Sequence, residues 1–266
     1  MKGDDGVDLE ELIDSIDIVE YISQFVELEE KNGEYWGLSP FSDEKTPSFS
    51  VRRENNTFYC FSSGIGGNVF TFTKFYYQCD ANKAVDILKK YDIKATFFVT
   101  NGGSDETILR EYQEGHTIGL HTASHNYDIY KSIDTYFADL NKVQDRVTRI
   151  IGTRAKYIRF PGGSSNTISR SRCKGIMTLL AAKVKEEGYR YYDWNSLVED
   201  AGACASKKVS DKNACVFKYF KNTISYNKIN IVLLHDIKSY TANSLENMIV
   251  YAKNNGYTFK AIDDTT

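Results

Sequence analysis

Two histidines with regular spacing give the first indication of chemistry in this sequence. His121 and His125 stand four residues apart in His-Thr-Ala-Ser-His, directly after the predicted strand His116–Leu120. Imidazoles are common zinc ligands, and two of them four residues apart can face one metal ion from a single helical turn. The pair therefore predicts a divalent metal site, although the same spacing also suits structural or surface histidines. No Glu follows His121, so the HExxH pattern of metalloproteases is not met.

A basic residue beside a glycine turn forms a second candidate group. Arg159 lies in the predicted strand Tyr157–Phe160 and is followed by Pro161-Gly162-Gly163-Ser164. A positive charge and free backbone N–H groups at a strand end are the groups that hold a developing oxyanion. The alternative interpretation is a simple Pro-Gly turn with an exposed arginine.

A third group contains a histidine and carboxylates. His235-Asp236 follows the predicted strand Ile229–Leu234, and Asp193 follows Tyr191-Tyr192. A histidine oriented by a carboxylate makes a general acid. We predict that Asp193 orients His235, with Asp236 as the competing partner.

The elements that must position these groups alternate from about residue 80 onward. Alternating strands and helices predict parallel βαβ units, with chemistry at the carboxyl ends of the strands. The predicted strands are Ala95–Thr100, His116–Leu120, Tyr157–Phe160, Arg190–Tyr192, Ile229–Leu234 and Thr258–Ala261. The predicted helices are Asn82–Tyr91, Asp105–Gly115, Ile133–Ile151, Gly175–Glu187 and Ser244–Asn254.

The N-terminal part has a different character. Apolar residues at helical spacing predict one or two short helices before residue 30, with Asp17 as a cap. Strands are predicted at Phe49–Val51, Thr57–Phe61 and Val69–Phe75. Residues 1–91 contain 9 Lys and Arg against 17 Asp and Glu, which disfavours binding to a phosphate backbone.

Four motifs together resemble the NodB-type polysaccharide deacetylases. HTIGLHTASH, RFPGGSSN, YYDWN and VLLHD are similar to motifs two to five of that family, and the resemblance covers about residues 84–264. It is strongest to the peptidoglycan N-acetylglucosamine deacetylases. It implies metal-dependent hydrolysis of N-acetyl groups on peptidoglycan or chitin-like glycans, with zinc or another divalent metal.

The resemblance also assigns roles to individual residues. His121 and His125 would be metal ligands, and Arg159 would support the general base. The backbone N–H near Gly162 would help to form the oxyanion site. His235 would protonate the leaving amine, with Asp193 holding it.

The first motif of the family, Thr-Phe-Asp-Asp-Gly, is missing. At the corresponding place the chain has Thr71-Phe72-Thr73-Lys74-Phe75, without a carboxylate, and Asp4-Asp5-Gly6 is interpreted as a coincidence. The base and the third metal ligand are thus absent, and loss of a base alone lowers rates by about 10²–10⁴. We expect weak or lost activity and weakly bound metal. An alternative is that Val69–Phe75 forms the first strand with other chemistry.

The N-terminal part resembles the zinc-binding domain of bacterial DNA primases. That family has Cys-Pro-Phe-His and Cys-Phe-x-Cys-Gly where this chain has SPFS and CFSSG. Three ligand positions are therefore serines (Ser39, Ser42 and Ser63), and only Cys60 is kept. Hydroxyls are poor zinc ligands, so a structural zinc is not expected.

The expected fold class is α/β: a truncated (β/α) NodB-type deacetylase barrel preceded by a small α+β primase zinc-ribbon-like module. The expected domains are residues 1–83 and 84–266, fused at the helix that both families share. One alternative is a nucleic-acid-binding primase-like module with a passive C-terminal domain. Another is a partly unfolded fusion product, because a barrel that lacks a strand exposes two sheet edges.

Compartment and redox state are also matters of expectation. The sequence shows neither an export signal nor an apolar run long enough for a membrane span, which favours a cytoplasmic location. Three cysteines, Cys173, Cys204 and Cys215, would support a disulfide in an oxidising compartment, and in the cytosol they are expected to be reduced.

Overall fold

The chain forms two compact units in a computed structural model that describes residues 15–42 and 44–266, apart from the side chains of residues 77–80. The first unit contains residues 1–84, 199–219 and 234–247, and the second contains residues 85–198, 220–233 and 248–266. The predicted domain boundary between residues 83 and 84 stays a prediction. The predicted helix around Leu9–Ile13, and Asp4-Asp5-Gly6, lie outside the described residues.

The first unit is built on an antiparallel sheet of five strands in chain order. Its strands are β1 (Glu29–Lys31), β2 (Glu34–Gly37), β3 (Phe49–Arg52), β4 (Thr57–Cys60) and β5 (Ile65–Gly67). The short helix α1 (Ile18–Ile22) precedes the sheet. Asp17 caps it as predicted, since its side chain accepts from the N–H groups of Val19 and Glu20.

The segment Val69–Phe75 was predicted as a strand, and that prediction is wrong. It is the beginning of the 22-residue helix α2 (Val69–Lys90). Asn68 supports the first turn, because its Oδ1 accepts from the N–H of residue 71 at 3.1 Å. Phe72 and Tyr76, one helical turn apart, are both buried in the aromatic core of the unit. The alternative in which this segment supplies the missing first strand is therefore wrong as well.

The second unit contains the predicted parallel βαβ arrangement. Its main sheet has four parallel strands in chain order: β6 (Thr96–Val99), β7 (Thr117–Leu120), β8 (Tyr157–Ile158) and β9 (Arg190–Tyr191). A separate parallel pair is formed by β10 (Ser196–Leu197) and β11 (Val232–Leu233). The α/β prediction is confirmed.

The helices follow the predicted order. Between the strands of the main sheet lie α3 (Asp105–Gln113), a 3₁₀ helix (Tyr127–Lys131), α4 (Ile133–Ile151), α5 (Ser169–Arg172) and α6 (Ile176–Glu186). Later helices are α7 (Val209–Thr223), which was not predicted, and α8 (Ser239–Asn254).

Helix α4 shows how local sequence determines these elements. Its bounds are those predicted, because Ser132 caps the first turn and Gly152 ends the helix with a φ of 74°. Between them the buried residues Tyr136, Leu140 and Val147 fall on one face, at helical spacing. That face packs into the main apolar core of the second unit.

The strand predicted at Thr258–Ala261 is not formed. Residues 257–260 have no regular structure, and the chain is instead fastened at Ile262. The N–H of Ile262 donates to Thr96 Oγ1 at 2.8 Å, and Thr117 Oγ1 donates to its carbonyl at 2.9 Å. Side-chain hydroxyls thus take the place of a backbone ladder beside β6 and β7.

Cysteine pairing and hydropathy complete the description. Cys204 and Cys215 form a disulfide, which is the state expected for an oxidising compartment and not the reduced state expected for the cytosol. Cys60 and Cys173 are free thiols. Within the described residues, none of the helices combines the length and the apolar character needed to span a bilayer.

Candidate functional site

The imidazoles of His121 and His125 lie together in the loop after β7. Their ring centroids are 4.7 Å apart. The loop is not the expected helical turn, because Thr122 and His125 adopt left-handed backbone conformations with φ of 63° and 51°. The Nδ1 of His121 is 2.7 Å from the carbonyl oxygen of Arg159. A carbonyl can only accept, so Nδ1 carries the proton and Nε2 keeps a lone pair for a metal or a proton.

Asp139 on α4 holds this loop in place, a contact that sequence reasoning missed. Its Oδ1 accepts from the N–H groups of Ala123 at 2.7 Å and Ser124 at 3.1 Å. The carboxylate thus satisfies two backbone donors between the histidines, which stabilises the unusual backbone there. The only hint in the sequence was its position on the polar side of a strongly amphipathic helix.

Arg159 is buried between aromatic rings. Its guanidinium carbon lies 4.3 Å from the ring centroid of Phe98 and 5.7 Å from that of Trp194. Its Nε donates to the carbonyl of Tyr192 at 3.1 Å. Burial lowers the pKa of Arg159 to about 10, although the charge of Asp193 acts in the opposite direction. The exposed-arginine alternative is wrong.

The glycine turn after Arg159 has the conformation that only glycine adopts easily. Gly162 has a φ of 75°, and a side chain there would meet Tyr127 Oη at 3.2 Å. Tyr130 donates from its hydroxyl to the carbonyl of Pro161 at 2.8 Å. The turn is therefore fixed from both sides, which suits a backbone donor of defined direction.

Asp193 lies at the same turn. Its Oδ1 accepts from the N–H of Ser164 at 2.9 Å, and its Oδ2 accepts from the Ser164 hydroxyl. Asp193 belongs to the second unit and His235 to the first. The predicted Asp193–His235 pair stays a prediction.

The carboxylate observed on His235 is that of Asp200. His235 Nδ1 lies 2.8 Å from Asp200 Oδ1, and its backbone N–H donates to Asp200 Oδ2 at 2.7 Å. Thr241 Oγ1 also donates to Oδ2, at 2.8 Å. Only 3% of the Asp200 side chain is exposed, against 34% for His235. A buried carboxylate thus fixes the ring so that Nε2 is available to carry a proton.

Asp200 was missed because β10 was not predicted. It follows Ser196–Leu197 by three residues, and recognition of that short strand would have placed it at a strand end. Asp236, the competing partner named from the sequence, makes its hydrogen bond to the N–H of Ile237 instead. Burial raises the pKa of the Asp236 carboxyl.

The four positions that correspond to zinc ligands in the N-terminal module contain no such ligand set. Ser39 Oγ lies 3.0 Å from Cys60 Sγ, and the buried thiol is surrounded by serines. Burial acts to raise the pKa of Cys60, but hydrogen bonds from Ser39, Ser62 and Ser63 lower it overall. One thiol and three hydroxyls do not fit zinc.

The deacetylase motifs do not provide a full ligand set either. Among the side chains that the structure describes, there is no group of three or more His, Cys, Asp or Glu that would hold a metal. His121 and His125 supply two imidazoles, and Asp139 is engaged by backbone N–H groups. A catalytic zinc takes three protein ligands, so these residues do not fit the metal on their own.

Known proteins are similar to both parts of the chain, the N-terminal module and the deacetylase-like part. The sequence profile of the CHC2 zinc finger matches residues 5–101, and that of polysaccharide deacetylase matches residues 68–176. The catalytic domain of peptidoglycan N-acetylglucosamine deacetylase from Eubacterium rectale is similar in structure, with a TM-score of 0.65 and 38% identity. That similarity covers 70% of this chain and 83% of the other.

Two relatives identified by sequence show the same division. The peptidoglycan-N-acetylglucosamine deacetylase of Bacillus cereus is 28% identical over 181 residues, which cover 66% of this chain. A DNA primase of Geobacillus stearothermophilus is 53% identical over 57 residues, or 21% of this chain. The chain spans only 62% of that deacetylase and 10% of that primase.

The α/β fold and the ordered motifs define a polysaccharide-deacetylase-type domain with a primase-like zinc-ribbon module before it. The chain belongs to the polysaccharide deacetylase family, and its N-terminal region is similar to the CHC2 zinc finger of DNA primases. Both families usually bind metal.

Proposed function

We propose that residues 84–266 form a deacetylase domain whose hydrolysis of N-acetyl groups is weak or lost. The observation that carries this proposal is the pair of imidazoles at His121 and His125, which lacks a third metal-binding side chain among the described residues. The segment aligned with the missing first motif supports it. That segment lies in α2, where Thr71 is hydrogen-bonded to Asn68.

The substrate class would be an N-acetylated glycan of the peptidoglycan or chitin type. The resemblance to enzymes that bear the name peptidoglycan N-acetylglucosamine deacetylase supports this choice. The family's general base belongs to its first motif, and the chain has Thr71-Phe72-Thr73-Lys74-Phe75 at that place. Loss of that base would lower the rate of hydrolysis by a factor of about 10²–10⁴.

The remaining groups would keep their roles in any residual reaction. His235 would donate a proton from Nε2 to the leaving amine, because Nδ1 is engaged by Asp200. The turn at Gly162 would offer a backbone donor to the oxyanion, and Arg159 would supply positive charge nearby. Asp193 would hold the turn through Ser164.

Zinc content of the purified chain tests the proposal. Two imidazoles bind zinc far more weakly than three protein ligands, so we expect well under one zinc per chain after dialysis. His121→Ala and His125→Ala should lower even this small zinc content. His235→Ala is the control, which should leave the zinc content unchanged. Acetate release from N-acetylated chitooligosaccharides and from peptidoglycan is then measured on the same preparations.

A high zinc content would contradict the proposal. About one tightly held zinc per chain, lost in both variants and accompanied by acetate release, would mean that another residue completes the site. The proposal of weak or lost activity would then be wrong.

A second candidate function is binding of single-stranded nucleic acid by the N-terminal module. Trp36 and Phe61 stack with ring centroids 5.9 Å apart, and Tyr59 contacts Phe61 at 4.9 Å. Phe61 is 59% exposed and Tyr59 is 45% exposed, as in platforms on which bases stack. The acidic composition of residues 1–91 counts against it.

Titration of a fluorescent single-stranded oligonucleotide distinguishes this candidate. Salt-dependent binding that falls about tenfold or more in Phe61→Ala, but not in the exposed control Phe259→Ala, would support it. Absence of binding at low salt would remove it.

A further inference from the structure

One loop of the N-terminal module is held together by a carboxylate. Glu44 Oε1 accepts from the N–H groups of Ser39 at 2.7 Å and Ser48 at 3.1 Å. Its Oε2 accepts from the Ser48 hydroxyl at 2.6 Å, with the Ser42 hydroxyl at 3.5 Å. Glu44 thus gathers the loop of residues 39–48 around one negative charge.

Serine hydroxyls continue this contact to the neighbouring loop. Ser62 Oγ lies 2.7 Å from Ser42 Oγ and 2.9 Å from Ser48 Oγ. It also lies 3.3 Å from Cys60 Sγ, and Ser39 Oγ completes the ring at 3.0 Å from the same sulfur. The hydrogen bonds therefore run without a break from Glu44 to Cys60. We call this set the serine–glutamate network (Ser39, Ser42, Glu44, Ser48, Cys60 and Ser62).

The network reverses the electrostatics of a zinc ribbon. In a zinc site a central cation is surrounded by anionic thiolates from two loops. Here an anionic carboxylate is surrounded by N–H and hydroxyl donors of the loop of residues 39–48, and Ser62 of the other loop is joined to it through the hydroxyls of Ser42 and Ser48. Charge-assisted hydrogen bonds are among the stronger ones. Cys60 is fully buried and Ser39 is 8% exposed, so the donors and acceptors at the inner end must be paired within the protein.

We propose that the serine–glutamate network replaces the structural zinc ion, so that the module folds without metal and depends on Glu44 instead. The ribbon is then not a damaged metal site but one that holds its two loops by a different interaction. This inference concerns the N-terminal module alone and does not rest on the proposed deacetylase function.

Trp36 offers a direct readout in the full chain. The sequence has two tryptophans, so Trp194→Phe leaves Trp36 on β2 as the fluorescent reporter of this module. We expect the urea unfolding midpoint of Trp36 to be the same in EDTA as in excess zinc. A midpoint that falls on chelation would overturn the proposal, because a structural metal contributes its binding energy to folding.

A glutamate variant tests the role of the charge. Glu44→Gln keeps the shape but removes the negative charge and one acceptor, so the Trp36 midpoint should shift to lower urea. The matched control is Glu54→Gln, an exposed glutamate in the turn between β3 and β4, which should not shift it. Equal midpoints for the two variants would contradict the assigned role of Glu44.

Restoration of the ligands is the complementary experiment. Ser39→Cys, Ser42→His and Ser63→Cys, combined with His121→Ala and His125→Ala, should create a site for about one cobalt ion with thiolate charge-transfer absorption. The unsubstituted network in the same background should bind none. Cobalt binding by that parent chain would overturn the proposal. So would a restored variant that folds, judged by Trp36, and still binds no metal.

Discussion

At the scale of single residues, His116 has a structural role, whereas His121, His125 and His235 belong to the candidate site. Its side chain is buried, and its Nδ1 accepts from the N–H of Ala95 at 3.1 Å. An acceptor nitrogen must be unprotonated, so the folded state contains neutral imidazole. Burial and the charge of Lys94 lower the pKa of His116 below its ordinary value.

This residue makes stability depend on pH. The unfolded chain takes up a proton near pH 6.5, whereas the folded chain does so only at lower pH. His116 therefore contributes stability that is complete above about pH 6.5 and is lost as the pH falls toward the folded pKa. We expect urea midpoints at about pH 7.5 and about pH 5.5 to differ less in His116→Gln than in the unsubstituted chain.

The control for this prediction is an exposed position near His116. Gln113→Ala should keep the full pH dependence, because it removes no titratable group. If His116→Gln and the control show the same dependence of the urea midpoint on pH, burial of His116 does not cause that dependence.

At the scale of elements, the arrangement of His121 and His125 depends on helix α4. Asp139 accepts two N–H groups from the loop, and no residue of the His-Thr-Ala-Ser-His motif itself supplies that support. The motif therefore needs a separate element in order to bring its imidazoles together.

Substitution of Asp139 should release the His-Thr-Ala-Ser-His loop from helix α4. Asp139→Ala leaves two backbone donors without their acceptor, and we expect a loss of about 1–3 kcal/mol in the free energy of unfolding. Affinity for cobalt, titrated in excess, should fall by about 10–100-fold because the histidines lose their orientation. Asp145→Ala, at an exposed position on the same helix, is the control. Equal effects of the two variants would refute the role of Asp139.

At the scale of the whole molecule, a disulfide lies in the first unit. The disulfide between Cys204 and Cys215 joins residues 11 apart in sequence, and Cys204 is fully buried. A closed loop of this size restricts the unfolded chain and contributes about 3 kcal/mol. The link fastens the middle of α7 to the segment that contains Asp200.

Reduction should therefore weaken the first unit. The double variant Cys204→Ala, Cys215→Ala is expected to lose about 3 kcal/mol in urea unfolding, and reductant should have the same effect on the unsubstituted chain. Cys173→Ala, which removes a free thiol, is the control. A chain whose stability is indifferent to reductant would show that this disulfide does not form in solution.

Much of the architecture was determined by the sequence itself. The bounds of α4 followed from a capping serine, a terminal glycine and apolar residues at helical spacing. The order of strands and motifs followed from local patterns of the same kind. These signals are short-range, so they are readable without knowledge of the fold.

Only the tertiary structure decided which side chains meet. The apolar run Val69–Phe75 suits a strand or a helix by pattern alone, and the choice was made by burial of Phe72 against the ribbon core. The hydrogen bond between His235 and Asp200 joins residues that lie thirty-five positions apart in the chain. Pairing across such distances depends on the path of the whole backbone, which residue types and spacing do not specify.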